Sequence, residues 1–184
     1  MSMQPRYSMD QVHVAIERGA ITQSYSADPQ DIVTALNQLR STEITSYLQY
    51  MQHAYMAVSL MSPGLKDEFQ GHAAQELQHA DRLADRIQQL GGVPIFRPEE
   101  IAAKTAEIGA NPHQGATLSD MVVQNLMMER RQIDAYTALI RDITDKDLVT
   151  RHILIGILEE TEKHASELSD YLKRVTDTRS SNGK

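Results

Sequence analysis

The chain has 184 residues and a formal net charge of −7 at pH 7, so its size suits one domain and its acidity favours cations over nucleic acid or anionic membranes as ligands. It contains no cysteine, which excludes disulfides, thiolate metal sites and cysteine nucleophiles and is typical of a reducing, cytoplasmic location. We expect no signal peptide, because charged residues interrupt the apolar residues of 1–20, and no membrane span, because no segment approaches the roughly 20 apolar residues that a span needs.

Residues 1–28 are polar and mixed, and we expect them to form an arm outside the core. The first long helix is predicted to start at Asp28-Pro29, because proline suits the first helical turn, and to end near Ser62-Pro63-Gly64. At helical spacing, one face of this helix carries Leu36, Leu39, Glu43, Tyr47, Tyr50 and Ala54.

Three further long helices follow. The second is predicted from about Gly64 to Gly91-Gly92, and the crossover after it, over 92–115, includes a short helix over 98–107. The third starts at 117–120, and the fourth follows the polar turn at 144–147 and ends near 172, before a flexible tail over 174–184. Four helices with one long crossover predict an all-α four-helix bundle over residues 29–173.

Each long helix carries an acid near the middle of its apolar face, where an unpaired carboxylate would cost several kcal/mol to desolvate. A surface ion pair would explain one acid and one histidine on a single helix, but acids at matching depth on four helices favour a metal site. Carboxylates and imidazoles without thiolates suit iron or manganese, and two bridged metals would neutralise the acids. The candidate ligands are Glu43, Glu76, His79, Glu129, Glu160 and His164.

Three stretches resemble the bacterioferritin and Dps-like branch of the ferritin superfamily over about residues 29–173: STEITSYLQY, QELQHADR and LMMERRQIDAY. The resemblance implies ferroxidase activity, in which two ferrous ions bind within a subunit, dioxygen or peroxide oxidises them, and ferric mineral collects in a hollow oligomer. It also implies that Glu43 and His79 serve one iron, that Glu129 and His164 serve the other, and that Glu76 bridges.

The fourth helix departs from the family pattern, which would place a glutamate three residues before His164 where this chain has Thr161. Glu160 lies four residues before His164, nearly on the same face, and a π-bulge would bring it closer. We therefore expect Glu160 to substitute as the ligand, with a weaker or asymmetric second iron position as the result.

Two other departures concern haem and assembly. Bacterioferritins have a haem-ligating methionine directly after the glutamate of the second helix, and this chain has Leu77 there, so no haem is expected. Residues 175–184 are too short and polar for the fifth C-terminal helix of bacterioferritins and larger ferritins. Together with the short crossover helix, this favours a Dps-like dodecamer with a bacterioferritin-type site in each subunit.

Two side chains near the candidate ligands remain open to more than one interpretation. Tyr50 is either a redox-active phenol or a hydrogen-bond partner of a carboxylate, and the structural role is favoured. His72 lies two turns before His79 and is either a residue that guides or transiently binds iron or a half-buried structural histidine.

Two alternative functions use the same fold differently. One is a non-storage di-metal oxidase or a manganese catalase, which would stop at about two metals per chain. The other is DNA protection by the tails, which is not expected because the termini carry few basic residues for phosphate contacts.

Overall fold

The computed structural model describes the backbone of residues 7–59 and 62–181 and the side chains of residues 7–57, 62 and 64–174. Across these residues the ordered elements are helices and there is no strand, which confirms the predicted all-α class. The six helices are α1 (Met9–Arg18), α2 (Pro29–Ser59), α3 (Pro63–Gln89), α4 (Pro98–Glu107), α5 (Leu118–Ile143) and α6 (Leu148–Ser181).

The four long helices form the bundle. α2 packs along α3 and α5 packs along α6, while α2 also touches α5 and α3 also touches α6. Their starts follow from local chemistry: Pro29 and Pro63 stand in first turns, and Thr117 and Asp120 form a reciprocal capping box at α5. Within the described part of the chain, no helix combines the length and apolar character needed to cross a bilayer.

Two apolar clusters fill the bundle. The first lies toward the start of α2 and the end of α3 and includes Leu36, Leu83, Ile87, Leu154 and Ile157. The second lies toward the other end of the same helices and includes Tyr50, Phe69, Ala73, Met121 and Leu168. Glu43 of α2 and Glu76 of α3 fall between the clusters along their helices, so the fold encloses a polar layer within an apolar interior.

The crossover between α3 and α5 is held against α2. The Asn37 side chain donates to the Val93 carbonyl at 3.1 Å and accepts from the Ile95 amide at 2.9 Å. The Arg40 guanidinium donates to the Ile95 carbonyl and lies 4.2 Å from the centre of the Phe96 ring. These contacts hold the crossover against α2. Its short helix, α4, has the predicted bounds of 98–107.

The structure changes the account of both ends of the chain. The arm contains α1, which begins with a capping box of Ser8 and Gln11 and contacts none of the other described helices. α6 continues to Ser181, so residues 174–181 extend a helix instead of forming the flexible tail that the polar composition predicted. Up to residue 181, no separate fifth helix follows α6. The division into an arm (1–28), a bundle (29–173) and a tail (174–184) otherwise stays a prediction.

Candidate metal centre

Five of the six predicted ligands meet in the polar layer, and each of the five is 0% exposed. They form two groups that share one glutamate, and within each group one ligand atom per residue lies within 4.8 Å of the others. The first group is Glu43, Glu76 and His79, and the second is Glu76, Glu129 and His164. Carboxylate and imidazole donors in this number suit divalent iron or manganese.

The Nδ1 atoms of both histidines face the shared carboxylates. The His79 Nδ1 atom lies 3.2 Å from Glu43 Oε2 and 3.9 Å from Glu76 Oε1. The His164 Nδ1 atom lies 3.2 Å from Glu76 Oε1 and 3.4 Å from Glu129 Oε1. Glu76 Oε1 is therefore close to both imidazoles, the position expected for an atom between two cations.

Three of these buried atoms have no partner in hydrogen-bonding geometry, despite the short distance between His164 Nδ1 and Glu76 Oε1: Glu76 Oε1, Glu129 Oε2 and His164 Nδ1. An unsatisfied buried donor or acceptor typically costs about 1–3 kcal/mol. Bound cations would satisfy these lone pairs, so the donor set fits metal ions better than it fits a closed hydrogen-bond network.

The protonation of the centre reflects crowding of like charges. Burial raises the pKa of the Glu76 carboxyl well above its usual value, and the charges of Glu129 and Glu43 raise it further. Burial alone would lower the pKa of the His164 imidazole, but the adjacent carboxylates of Glu129 and Glu76 raise it to about 10. Without cations, Glu76 therefore retains a proton or shares one with His164.

Three uncharged side chains orient the carboxylates. The Tyr136 hydroxyl donates to Glu43 Oε1 at 2.6 Å, and the Tyr50 hydroxyl donates to Glu129 Oε1 at 2.5 Å. The Gln132 amide donates to Glu43 Oε1 at 2.9 Å and to Glu76 Oε2 at 3.3 Å. Burial, followed by the charge of the adjacent acid, raises the pKa of both tyrosines well above the usual value, so both hydroxyls remain donors.

The sequence interpretation missed two of these three roles. Tyr50 has the hydrogen-bond role favoured from the sequence, whereas Tyr136 and Gln132 are not singled out there as carboxylate partners. Both lie on the Glu129 face of α5, three and seven residues after that glutamate, so helical spacing contained the signal.

Glu160 is not where the sequence predicted it. Its Oε2 atom lies 3.1 Å from His79 Nε2, the ring nitrogen opposite the metal-facing Nδ1, and its Oε1 atom accepts from Arg82 at 3.1 Å. The side chain is 39% exposed and belongs to neither ligand group. α6 is α-helical around this residue, without the proposed π-bulge, so Glu160 points toward α3 and not into the centre.

Thr161 occupies the position that would carry the missing carboxylate. It is 0% exposed, and its hydroxyl donates to the Ile157 carbonyl at 2.9 Å. The hydroxyl is committed to its own helix, so three carboxylates and two imidazoles remain as the ligand set.

The ferritin-like domain model matches residues 33–177, which include every residue of the centre. The chain belongs to the ferritin-like family. A bacterial ferritin of Pseudomonas aeruginosa is 31% identical over 147 residues, covering 77% of this chain and 86% of that protein. A bacterioferritin of Desulfovibrio desulfuricans is 25% identical over 151 residues, covering 80% of this chain and 79% of its own length.

A solved structure extends the likeness to three dimensions. The dodecameric thioferritin of Bacteroides fragilis, a bacterioferritin-related protein, superposes with a TM-score of 0.77 at 29% identity, covering 85% of this chain and 92% of that chain. A nutrient stress-induced DNA-binding protein of Synechococcus is 28% identical over 147 residues, covering 77% and 80% of the two chains. These relatives confirm the predicted bacterioferritin-related branch and the ferritin-like bundle.

Proposed function

We propose that this protein oxidises ferrous iron at the buried centre and stores the ferric product inside a homo-oligomeric cage. The single observation that carries the proposal is the pair of fully buried ligand groups that share Glu76. The bacterial ferritin and bacterioferritin relatives support ferroxidase and iron-storage function.

In this proposal Glu43 and His79 hold one ferrous ion, Glu129 and His164 hold the other, and Glu76 bridges them. Iron is the substrate: two ferrous ions supply the two electrons that reduce one peroxide, with two protons, to two waters. Dioxygen is the alternative oxidant. Ion binding displaces protons from the imidazole Nδ1 atoms and carboxylates, while Tyr50, Tyr136 and Gln132 hold the carboxylates in place.

The substitution at Thr161 makes the two iron positions unequal. Three carboxylates face two dications, so the bound pair keeps a net positive charge at the ligand set. We expect the iron at Glu129 and His164, on the Thr161 side, to bind more weakly than the iron at Glu43 and His79.

For assembly, we propose a dodecameric cage. Support comes from the dodecameric thioferritin of Bacteroides fragilis, which is similar over most of both chains. The absence of haem, the cytoplasmic location and the absence of DNA binding stay predictions. A low-salt gel shift with full-length assemblies tests the last of these, and retardation of DNA would contradict it.

An anaerobic ferrous titration of metal-free assemblies, followed by addition of oxygen or peroxide, tests the proposed function. We expect rapid oxidation to saturate at two irons per chain, one for each ligand group, and a ferric core to grow with further additions. Oxidation or peroxide consumption without any accumulation of iron would instead favour the di-metal oxidase or manganese catalase.

A further inference from the structure

The ligands of the metal centre are completely buried, so a cation must pass residues that connect them to the surface. Two partly exposed glutamates of α6 contact buried histidines at or next to the centre. Glu160 is 39% exposed and contacts His79, and Glu167 is 42% exposed and contacts His72. Each glutamate therefore marks a candidate entrance for a cation, and the charged groups around the two glutamates differ.

The Glu160 side carries a positive charge close to its carboxylate. Arg82 donates to Glu160 Oε1 at 3.1 Å, and its guanidinium also reaches the Ile153 carbonyl at 3.5 Å. A guanidinium stays charged at every physiological pH. The Arg82 guanidinium, 3.1 Å from the Glu160 carboxylate, therefore repels an approaching ferrous ion on this side.

The Glu167 side leads inward through a histidine that is outside the two ligand groups. The His72 Nε2 atom lies 3.1 Å from Glu167 Oε2, and the His72 side chain is only 6% exposed. The His72 ring stacks on the ring of His164, with centroids 4.1 Å apart and planes 19° apart. Exposure thus falls from Glu167 through His72 to a candidate ligand of the buried centre.

The second nitrogen of His72 makes this ring suited to metal binding. Its Nδ1 atom is buried and has no hydrogen-bond partner, so the contact between Nε2 and Glu167 alone sets the tautomer of the ring. The Nε2 atom can therefore change from a donor to Glu167 into a ligand when a cation takes the place of the shared proton.

A second carboxylate strengthens the acidic character of this entrance. Glu68 lies four residues before His72 on α3, and burial, followed by the charge of Glu167, raises the pKa of the Glu68 carboxyl. Two positive charges lie nearby. Lys163 Nζ is 3.7 Å from Glu167 Oε1 and its side chain is 64% exposed, and the charge of Arg174 lowers the pKa of Glu68. The Glu167 Oε2 atom faces His72 Nε2, and it is the oxygen that a cation would share with that ring.

We propose that His72 and Glu167 form a third cation position, at which ferrous iron binds before it enters the buried centre. An imidazole and a carboxylate are both donors that ferrous iron accepts. The inference rests on the proposed function, because the position serves as an entrance only if the buried centre takes up iron.

Cobalt(II) binding to metal-free, full-length assemblies tests the proposal without depending on turnover. Equilibrium dialysis and ligand-field absorption count the ions per chain in the wild type, Glu167→Gln and His72→Phe. The phenylalanine keeps a ring beside His164 but offers no nitrogen. Glu162→Gln, on the exposed face of the same helix, is the matched control.

We expect the wild type and Glu162→Gln to bind a third, weaker ion in addition to the two tight ions of the centre. Glu167→Gln and His72→Phe should lose that third ion and keep both tight ions. Their ferrous oxidation at low iron concentration should also be about tenfold slower, as is typical when electrostatic steering is lost.

Absence of the third ion in the wild type, or its retention in both variants, would overturn the proposal. Absence of the two tight ions in the wild type would contradict the proposed function instead, so the two failures are distinguishable. Glu167→Gln removes only a charge from a half-exposed side chain, so its assembly should match the wild type in size-exclusion chromatography.

Discussion

The metal centre has two halves, Glu43 with His79 and Glu129 with His164. Their carboxylates have similar hydrogen-bond partners, but the ring nitrogens that point away from the centre have different ones. In each half a buried tyrosine donates to the outer carboxylate, from Tyr136 to Glu43 and from Tyr50 to Glu129. Behind His79, the far nitrogen faces the Glu160 carboxylate at 3.1 Å. Behind His164, the far nitrogen donates to the neutral Gln75 amide oxygen at 2.9 Å.

This difference predicts different metal affinities for the two halves. A carboxylate behind a ligating histidine fixes the ring orientation and raises the basicity of the metal-facing nitrogen, whereas an amide orients the ring with less effect on basicity. The half at Glu43 and His79 also receives the Gln132 amide, and the other half has lost a carboxylate to Thr161. Both features favour tighter binding at His79.

Removing the shared carboxylate should have the largest effect, because it breaks both halves at once. In Glu76→Gln we expect ferrous affinity to fall at both positions by more than the roughly 10- to 100-fold typical of losing a residue behind a ligand. Anaerobic calorimetric titration measures this loss. Glu159→Gln, an exposed acid on α6, is the control, and two unchanged binding events in Glu76→Gln would show that Glu76 is not a bridge.

Supplying the missing acid should reduce the difference between the halves. We expect Thr161→Glu to strengthen cation binding at Glu129 and His164 and to destabilise the metal-free protein by several kcal/mol, because another carboxylate is buried without a partner. Thermal unfolding with and without cobalt(II) measures both effects. Thr161→Val removes only the hydroxyl and should leave cation binding unchanged; equal cobalt(II) affinities in Thr161→Glu and the wild type would oppose this interpretation of Thr161.

Neutralising the residue behind one histidine should weaken one half alone. In Glu160→Gln we expect a roughly 10- to 100-fold loss of affinity at Glu43 and His79, with the other position unchanged. Gln75→Leu is the matched variant behind His164 and should affect only that half. Stepwise calorimetric titration separates the two events, and equal losses at both positions in either variant would contradict the assignment.

The smallest expected effects are those of the tyrosines. Tyr136→Phe should weaken the first half and Tyr50→Phe the second, each by about tenfold, because one hydrogen bond to a charged group typically contributes about 1.5–3 kcal/mol, of which only part acts on the metal. Ferrous titration of the two variants side by side measures these losses. If Tyr136→Phe weakened the Glu129 half, the hydrogen-bond assignment would be wrong.

Much of this architecture was accessible from the sequence, because helical spacing identifies which residues share a face. That rule was enough to bring Glu43, Glu76, His79, Glu129 and His164 together, and the capping and breaking residues were enough to place the long helices. The same rule missed the contribution of Gln132, whose carboxylate partners lie on other helices and become visible only when the bundle is packed.

Glu160 shows more clearly what helical spacing alone does not predict, which is the side of the helix that faces the centre. Glu160 lies about 40° to one side of the direction of His164 on the helix, and Thr161 lies about 60° to the other side. Thr161 is on the buried side, so Glu160 faces His79 and Arg82 of α3. The missed helix α1 and the length of α6 have another cause: short or polar helices lack the long apolar periodicity by which the other helices were found.

Anomalous diffraction at the iron edge, from crystals of full-length protein loaded anaerobically with ferrous iron, tests the central claim most directly. We predict two iron peaks per chain on either side of Glu76, with the peak between Glu43 and His79 at higher occupancy than the peak between Glu129 and His164. A single peak remote from Glu76, or an iron ligated by Glu160, would contradict the account.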